Sequence, residues 1–117
     1  MPDKMPDKYH EELKKKMNLY VHNVYKVTKI FPKDELYGVT SQLRRSALSV
    51  ILNYIEGFAR QTKKMDKCFL RISYASLKES EYLIKFSYDE GYLKENNYKI
   101  LSKQADEIGA MLWRSIN

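Results

Sequence analysis

A single cysteine, Cys68, leaves no partner for an internal disulfide, which excludes the stapled secreted scaffolds and makes a reducing cytoplasm the expected compartment. Four glycines and three prolines in 117 residues are too few for a collagen, linker or low-complexity chain. No apolar run approaches the roughly 18 residues of a membrane-spanning candidate, and no stretch near the start has the charged, apolar and small-residue order of a signal peptide. A soluble protein without a membrane partner is expected. What is present, 44% hydrophobic and 31% charged residues, is the composition of a folded, helical chain, and 117 residues suffice for one domain.

The charge is +6, with 21 basic and 15 acidic residues. An excess of this size favours weak association with polyanions such as nucleic acid or anionic lipid. Its densest piece runs from Arg60 to Arg71, where Arg60, Lys63, Lys64, Lys67 and Arg71 face only Asp66, and a second run is Lys14-Lys15-Lys16. Taken alone, either run equally describes a solvated surface.

Residues 1–8 read Met-Pro-Asp-Lys twice and are expected to be a flexible tail, with Met5 an alternative start, ahead of a single domain over 9–117. Leu13, Met17, Tyr20, Val24, Val27 and Phe31 then recur at steps of three and four, the spacing of one helical face, and Pro32 ends that helix at about Ile30. A short connection follows, in which Gly38 is expected to be left-handed and Thr40 to cap the next helix. That second helix, from about Thr40 to Ala59, is apolar over roughly 200° of its circumference at 100° per residue, more than one core face requires. The surplus arc, Leu48, Ile51, Leu52, Ile55 and Ala59 with Arg44 set into it, predicts a second buried face against another copy of the chain. A third helix runs from an Asp66 cap to about Asp89, with a large seam of Leu70, Tyr74, Leu77, Ile84 and Tyr88 and a small one of Phe69, Ser73, Ser76, Ser80, Leu83 and Ser87. A fourth starts near Glu95 and repeats Tyr98, Leu101, Ala105, Ile108 and Leu112. Short links between long helices predict an all-α, antiparallel up-down-up-down four-helix bundle.

Catalytic motifs are nearly absent. His10 and His22 lie twelve positions apart on one helix, and His10-Glu11-Glu12 has Lys14 where a zincin would need its second histidine. There is no Glu-x-x-His pair, phosphate-cradling glycine loop, Cys-x-x-Cys or nucleophile elbow, so no enzyme, metal or cofactor is expected. Cys68 reads as a bland, partly buried thiol. Arg44 in an apolar arc and Glu81 in an apolar seam suggest a pairing of Arg44 with Glu81 or Glu79, within or between chains. Of the aromatics, Tyr20, Phe31, Tyr54, Phe58, Phe69 and Tyr98 are assigned to the core and Tyr9, Tyr25, Tyr37, Tyr82 and Tyr92 to the surface.

The string Thr40-Ser41-Gln42-Leu43-Arg44-Arg45-Ser46-Ala47, continuing through Asn53 to Glu56-Gly57-Phe58-Ala59-Arg60, resembles the bacterial four-helix bundle proteins first noticed as reading frames in intervening sequences of 23S rRNA genes. Phe69 to Ile72, Ser76 to Glu81, Gly91 to Leu93 and Glu107 to Leu112 extend the resemblance over about residues 13–113. Ile51 departs from it, since proline is usual there, and so does the larger Tyr54-Ile55 pair. The resemblance implies a homopentamer with a basic channel and no defined activity; distant relatives include the accessory variability protein of diversity-generating retroelements, a pentamer that binds nucleic acid and a reverse transcriptase. The expected function is therefore a non-enzymatic scaffold that binds RNA or DNA by phosphate contact from Arg45, Arg60, Lys63, Lys64, Lys67 and Arg71, without base readout. The alternative is a scaffold whose basic patches dock an acidic protein such as a polymerase.

Overall fold

A computed structural model describes residues 7–59 and 67–117, and the expected roles of Arg60, Lys63, Lys64, the Asp66 cap and residues 1–6 of the tail lie outside them. Among the described residues there are four α-helices and no strand: α1 Asp7–Thr28, α2 Val39–Ala59, α3 Lys67–Asp89 and α4 Glu95–Ile116, with a 3-10 turn over Lys33–Glu35. Each long helix packs on its two neighbours in a ring, α1 on α2, α2 on α3, α3 on α4 and α4 on α1, while the backbones of diagonal helices stay apart and α1 reaches α3 across the core through Tyr20 and Ser80. Side-chain bonds fix the directions. Tyr9 at the start of α1 donates to the Met111 carbonyl near the end of α4 (2.8 Å), and Arg44 at the start of α2 donates to Thr28 at the end of α1 (2.8 Å). The topology is up-down-up-down.

The core is the periodic stripe of each helix: Leu13, Met17, Tyr20 and Val24 meet Leu43, Val50 and Tyr54, then Leu70, Leu77 and Ile84, then Leu101, Ile108 and Leu112, all essentially inaccessible. α2 and α3 pack most closely, because the small seam of α3 faces α2. Ser73 donates to the Val50 carbonyl across the helix pair (2.6 Å), Ser49 and Ser76 share a hydrogen bond (2.7 Å), and Ser80 both donates to Leu77 O and pairs with the Tyr20 hydroxyl (2.7 Å each). Buried hydroxyls are tolerable only when satisfied, and short serines reach backbone carbonyls without holding the helices apart. No helix among the described residues is long and apolar enough to cross a membrane.

The connections differ from expectation at Gly38, at the cap of α2 and at the end of α1. Gly91 takes the left-handed conformation (φ 82°) and ends α3 as its place after that helix suggests, its N–H bonded to Tyr88 O, whereas Gly38, also expected to be left-handed, is not. At Gly38 a Cβ would sit 2.6 Å from Glu35 Oε1, so a side chain there would displace that carboxylate. That carboxylate caps α2 by accepting the Val39 N–H (3.1 Å) and is steadied by the Tyr92 hydroxyl (2.9 Å), so the cap expected of Thr40 comes from Glu35 while Thr40 is buried in the first turn. Helix α1 ends at Thr28, whose hydroxyl turns back to Val24 O (2.8 Å), two residues earlier than Pro32 alone would require.

Candidate assembly and nucleic-acid surfaces

Seen down its axis, α2 buries Leu43, Ala47, Val50 and Tyr54 inward and leaves the opposite arc uncovered. Leu52 is 57% and Ile55 44% exposed, Ala59 is exposed, and Leu48 and Ile51 are half-buried. The five apolar positions thus form one outward stripe. On its α3 side runs a groove of about 500 Å³ with Ser46, Ser49 and Ser76 among its lining, bounded by Leu52, Arg45 and Glu79. On its α1 side stands Arg44.

Arg44 does not meet Glu81 or Glu79 within the chain. Its guanidinium lies 4.8 Å from the Tyr25 ring centre and its Nε–H bonds to Thr28, while Glu81 holds Lys78 (3.2 Å). The reason is register and side: Arg44 is on the α1 flank of α2, and α3 lies on the other. That Glu81 carboxylate, accepting a hydrogen bond from the Lys78 ammonium, raises the lysine's pKa.

Three of the six expected phosphate contacts are described, and they do not form one patch. Lys67 and Arg71 lie one turn apart at the start of α3. Arg45 borders the α2–α3 groove. With Ser49 level with Ser76, Arg45 and Arg71 stand nine residue rises apart, about 13 Å along the axis. All three are exposed, and among the described residues none has a carboxylate within 4 Å. Lys78, Lys85 and Lys99, by contrast, are paired with Glu81, Asp89 and Glu95.

The aromatic assignments divide. Tyr20, Phe31 and Tyr54 are core and Phe58, Phe69 and Tyr98 half-buried. Tyr37 and Tyr82 are exposed as expected, but Tyr9, Tyr25 and Tyr92 are half-buried, the first and last held by their hydroxyls and Tyr25 by Arg44. Exposed Trp113 on α4 and half-buried Tyr74 on α3 form a pair with ring centres 5.5 Å apart that sequence periodicity did not single out. Cys68 is exposed, not partly buried, because it falls on the outer side of α3. His10 is buried at the foot of α1 between Tyr54, whose hydroxyl bonds its Nδ1, and Phe58. Among the described residues no three His, Cys, Asp or Glu side chains converge as metal ligands would.

These features define a small antiparallel four-helix bundle with an uncovered second apolar face and surface cations that have no carboxylate partner among the described residues. The family model of the 23S rRNA-intervening sequence protein matches residues 10–114, and the chain belongs to that family. It is similar in fold to the crystal structure of a protein of unknown function from the S23 ribosomal protein family of Bacteroides thetaiotaomicron: the TM-score is 0.83 at 19% identity, over 92% of this chain and 97% of that one. No curated protein matches it.

Proposed function

We propose that the protein is a non-enzymatic scaffold of the cytoplasm that assembles with itself, as a ring of five, and binds RNA or DNA through phosphate contacts without reading bases. The observation that carries this reading is the outward stripe of α2. Burying Leu52 and Ile55 would stabilise an interface by about 1 to 2 kcal/mol each, and a monomer leaves that free energy unused. Assembly then multiplies the +6 of each chain, and weak contacts from Arg45, Lys67 and Arg71 become avid when repeated by symmetry. Arg60, Lys63 and Lys64 add to the same excess.

Anisotropy of a labelled oligonucleotide, read across a salt series, tests the proposal. Affinity should fall linearly on a log–log plot, by about 0.7 to 0.9 log units per decade of salt for each phosphate neutralised, with little difference between sequences. Absence of binding at low salt, or binding indifferent to salt, would overturn it and leave the reading in which the basic surface docks an acidic protein such as a polymerase.

A further inference from the structure

Trp113 is the chain's one tryptophan and is 54% exposed, an uneconomical position for so large an apolar ring unless something covers it. It does not stand alone. Its ring leans at 48° against Tyr74, and the two wall a notch of about 290 Å³ between α3 and α4. Ala105, Gly109 and Ala110 keep the floor low. Sites for whole small molecules enclose about 300 to 1,000 Å³, so this open notch suits a single flat ring.

The charges along the notch suggest which ring. On α3, Arg71, Tyr74 and Lys78 fall at i, i+3 and i+7, a basic-aromatic-basic stripe, with Lys67 one turn before it. Lys78 is held over Tyr74 (5.3 Å) and tied to Glu81, whereas Arg71 and Lys67 have no carboxylate partner among the described residues. Asp106 sits at the far end, seven residues up α4 from Trp113, about 10 Å away along the axis. Arg71 and Lys67 follow one another along α3 beyond the Tyr74 end of the notch, whereas its other end holds Asp106 and the Glu81-tied Lys78. A strand whose base enters the notch can lay successive phosphates along the basic side, and a protein side chain supplies the ring without the anions. We infer that the Trp113–Tyr74 notch is a stacking site for an unpaired base of single-stranded nucleic acid, with the phosphate on one side of that base held by Arg71 and the next along the strand by Lys67. A duplex keeps its bases stacked inside and cannot present one. The notch lies between α3 and α4 and shares no residue with the outward stripe of α2. The inference rests on the nucleic-acid reading above and adds to it a strand preference and a position.

Trp113 is its own probe. The protein is titrated with oligo(dT), oligo(rU) and a blunt duplex of equal length, following tryptophan fluorescence, while anisotropy of labelled strands reports binding independently. Single strands should quench the emission and the duplex should not, and comparing the two single strands shows which sugar is preferred. Trp113→Ala should weaken single-strand binding about tenfold with duplex binding unchanged, and Trp113→Phe should restore most of it. Binding seen by anisotropy with no quenching, or with no loss in Trp113→Ala, overturns the stacking site and leaves the polyanion reading intact. No binding to any strand at low salt overturns both.

Discussion

Single tyrosines decide how this bundle responds to alkali. Tyr20 is buried against Ser80 and Tyr54 against His10, and burial, which penalises the phenolate, raises both pKa values well above the usual 10. In the unfolded chain both ionise near pH 10. Between that pH and their folded pKa the native state binds more protons than the unfolded state, so stability is complete below pH 10 and falls above it, by up to about 1.4 kcal/mol per pH unit for each tyrosine. Urea unfolding between pH 8 and pH 11 should show a flat region and then this decline. Tyr20→Phe and Tyr54→Phe should each remove part of the slope; a slope unchanged in both variants would assign the loss to other groups. Neither pKa was legible in the chain, because each depends on which side chain faces the hydroxyl across the bundle. The stripe that buries Tyr20 was legible, from Leu13 to Phe31.

At the scale of elements, the α2–α3 pair is the closest contact in the fold, and serine makes it so. Ser73 is inaccessible and its hydroxyl is bonded to Val50 O. Ser73→Ala removes a hydrogen bond that a helix carbonyl can spare, and should cost about 1 kcal/mol. Ser73→Leu must push the helices apart and should cost about 3 kcal/mol or more, with α2 moving rather than α4. Thermal unfolding of the two variants checks the ratio; equal losses would mean that the seam has room. The small seam of α3 and the over-wide apolar arc of α2 were both visible as helical periodicity, since each lies within one segment. What joins two segments was not. Glu35 as the cap of α2 needs the space left by Gly38 and the hydroxyl of Tyr92, 57 positions away. The Trp113–Tyr74 notch needs α3 and α4 side by side in a particular register. Arg44 was read as a residue seeking a carboxylate, and the fold gives it a ring and a hydroxyl on the opposite flank.

For the whole molecule, the questions of assembly and of binding meet on α2. If a ring supplies the avidity, then a change that only prevents assembly must also abolish tight binding, although it touches no cation. Leu52→Gln with Ile55→Gln makes such a change: both side chains point outward, the net charge stays at +6, and no core contact is lost. The double variant should keep the helical circular-dichroism spectrum and a thermal midpoint close to that of isolated chains, and elute as a monomer. Its oligonucleotide affinity should fall about a hundredfold or more, the range by which linked sites exceed single ones, and its salt slope should shrink because each complex neutralises fewer phosphates. A parent chain that is itself monomeric would remove the basis for the ring. A monomeric variant that binds as tightly as the parent, with the same slope, would instead place all the phosphate contacts within one bundle and leave the ring no part in the affinity. Size, affinity and slope measured on the same two proteins therefore separate an assembly that creates the binding surface from one that merely accompanies it.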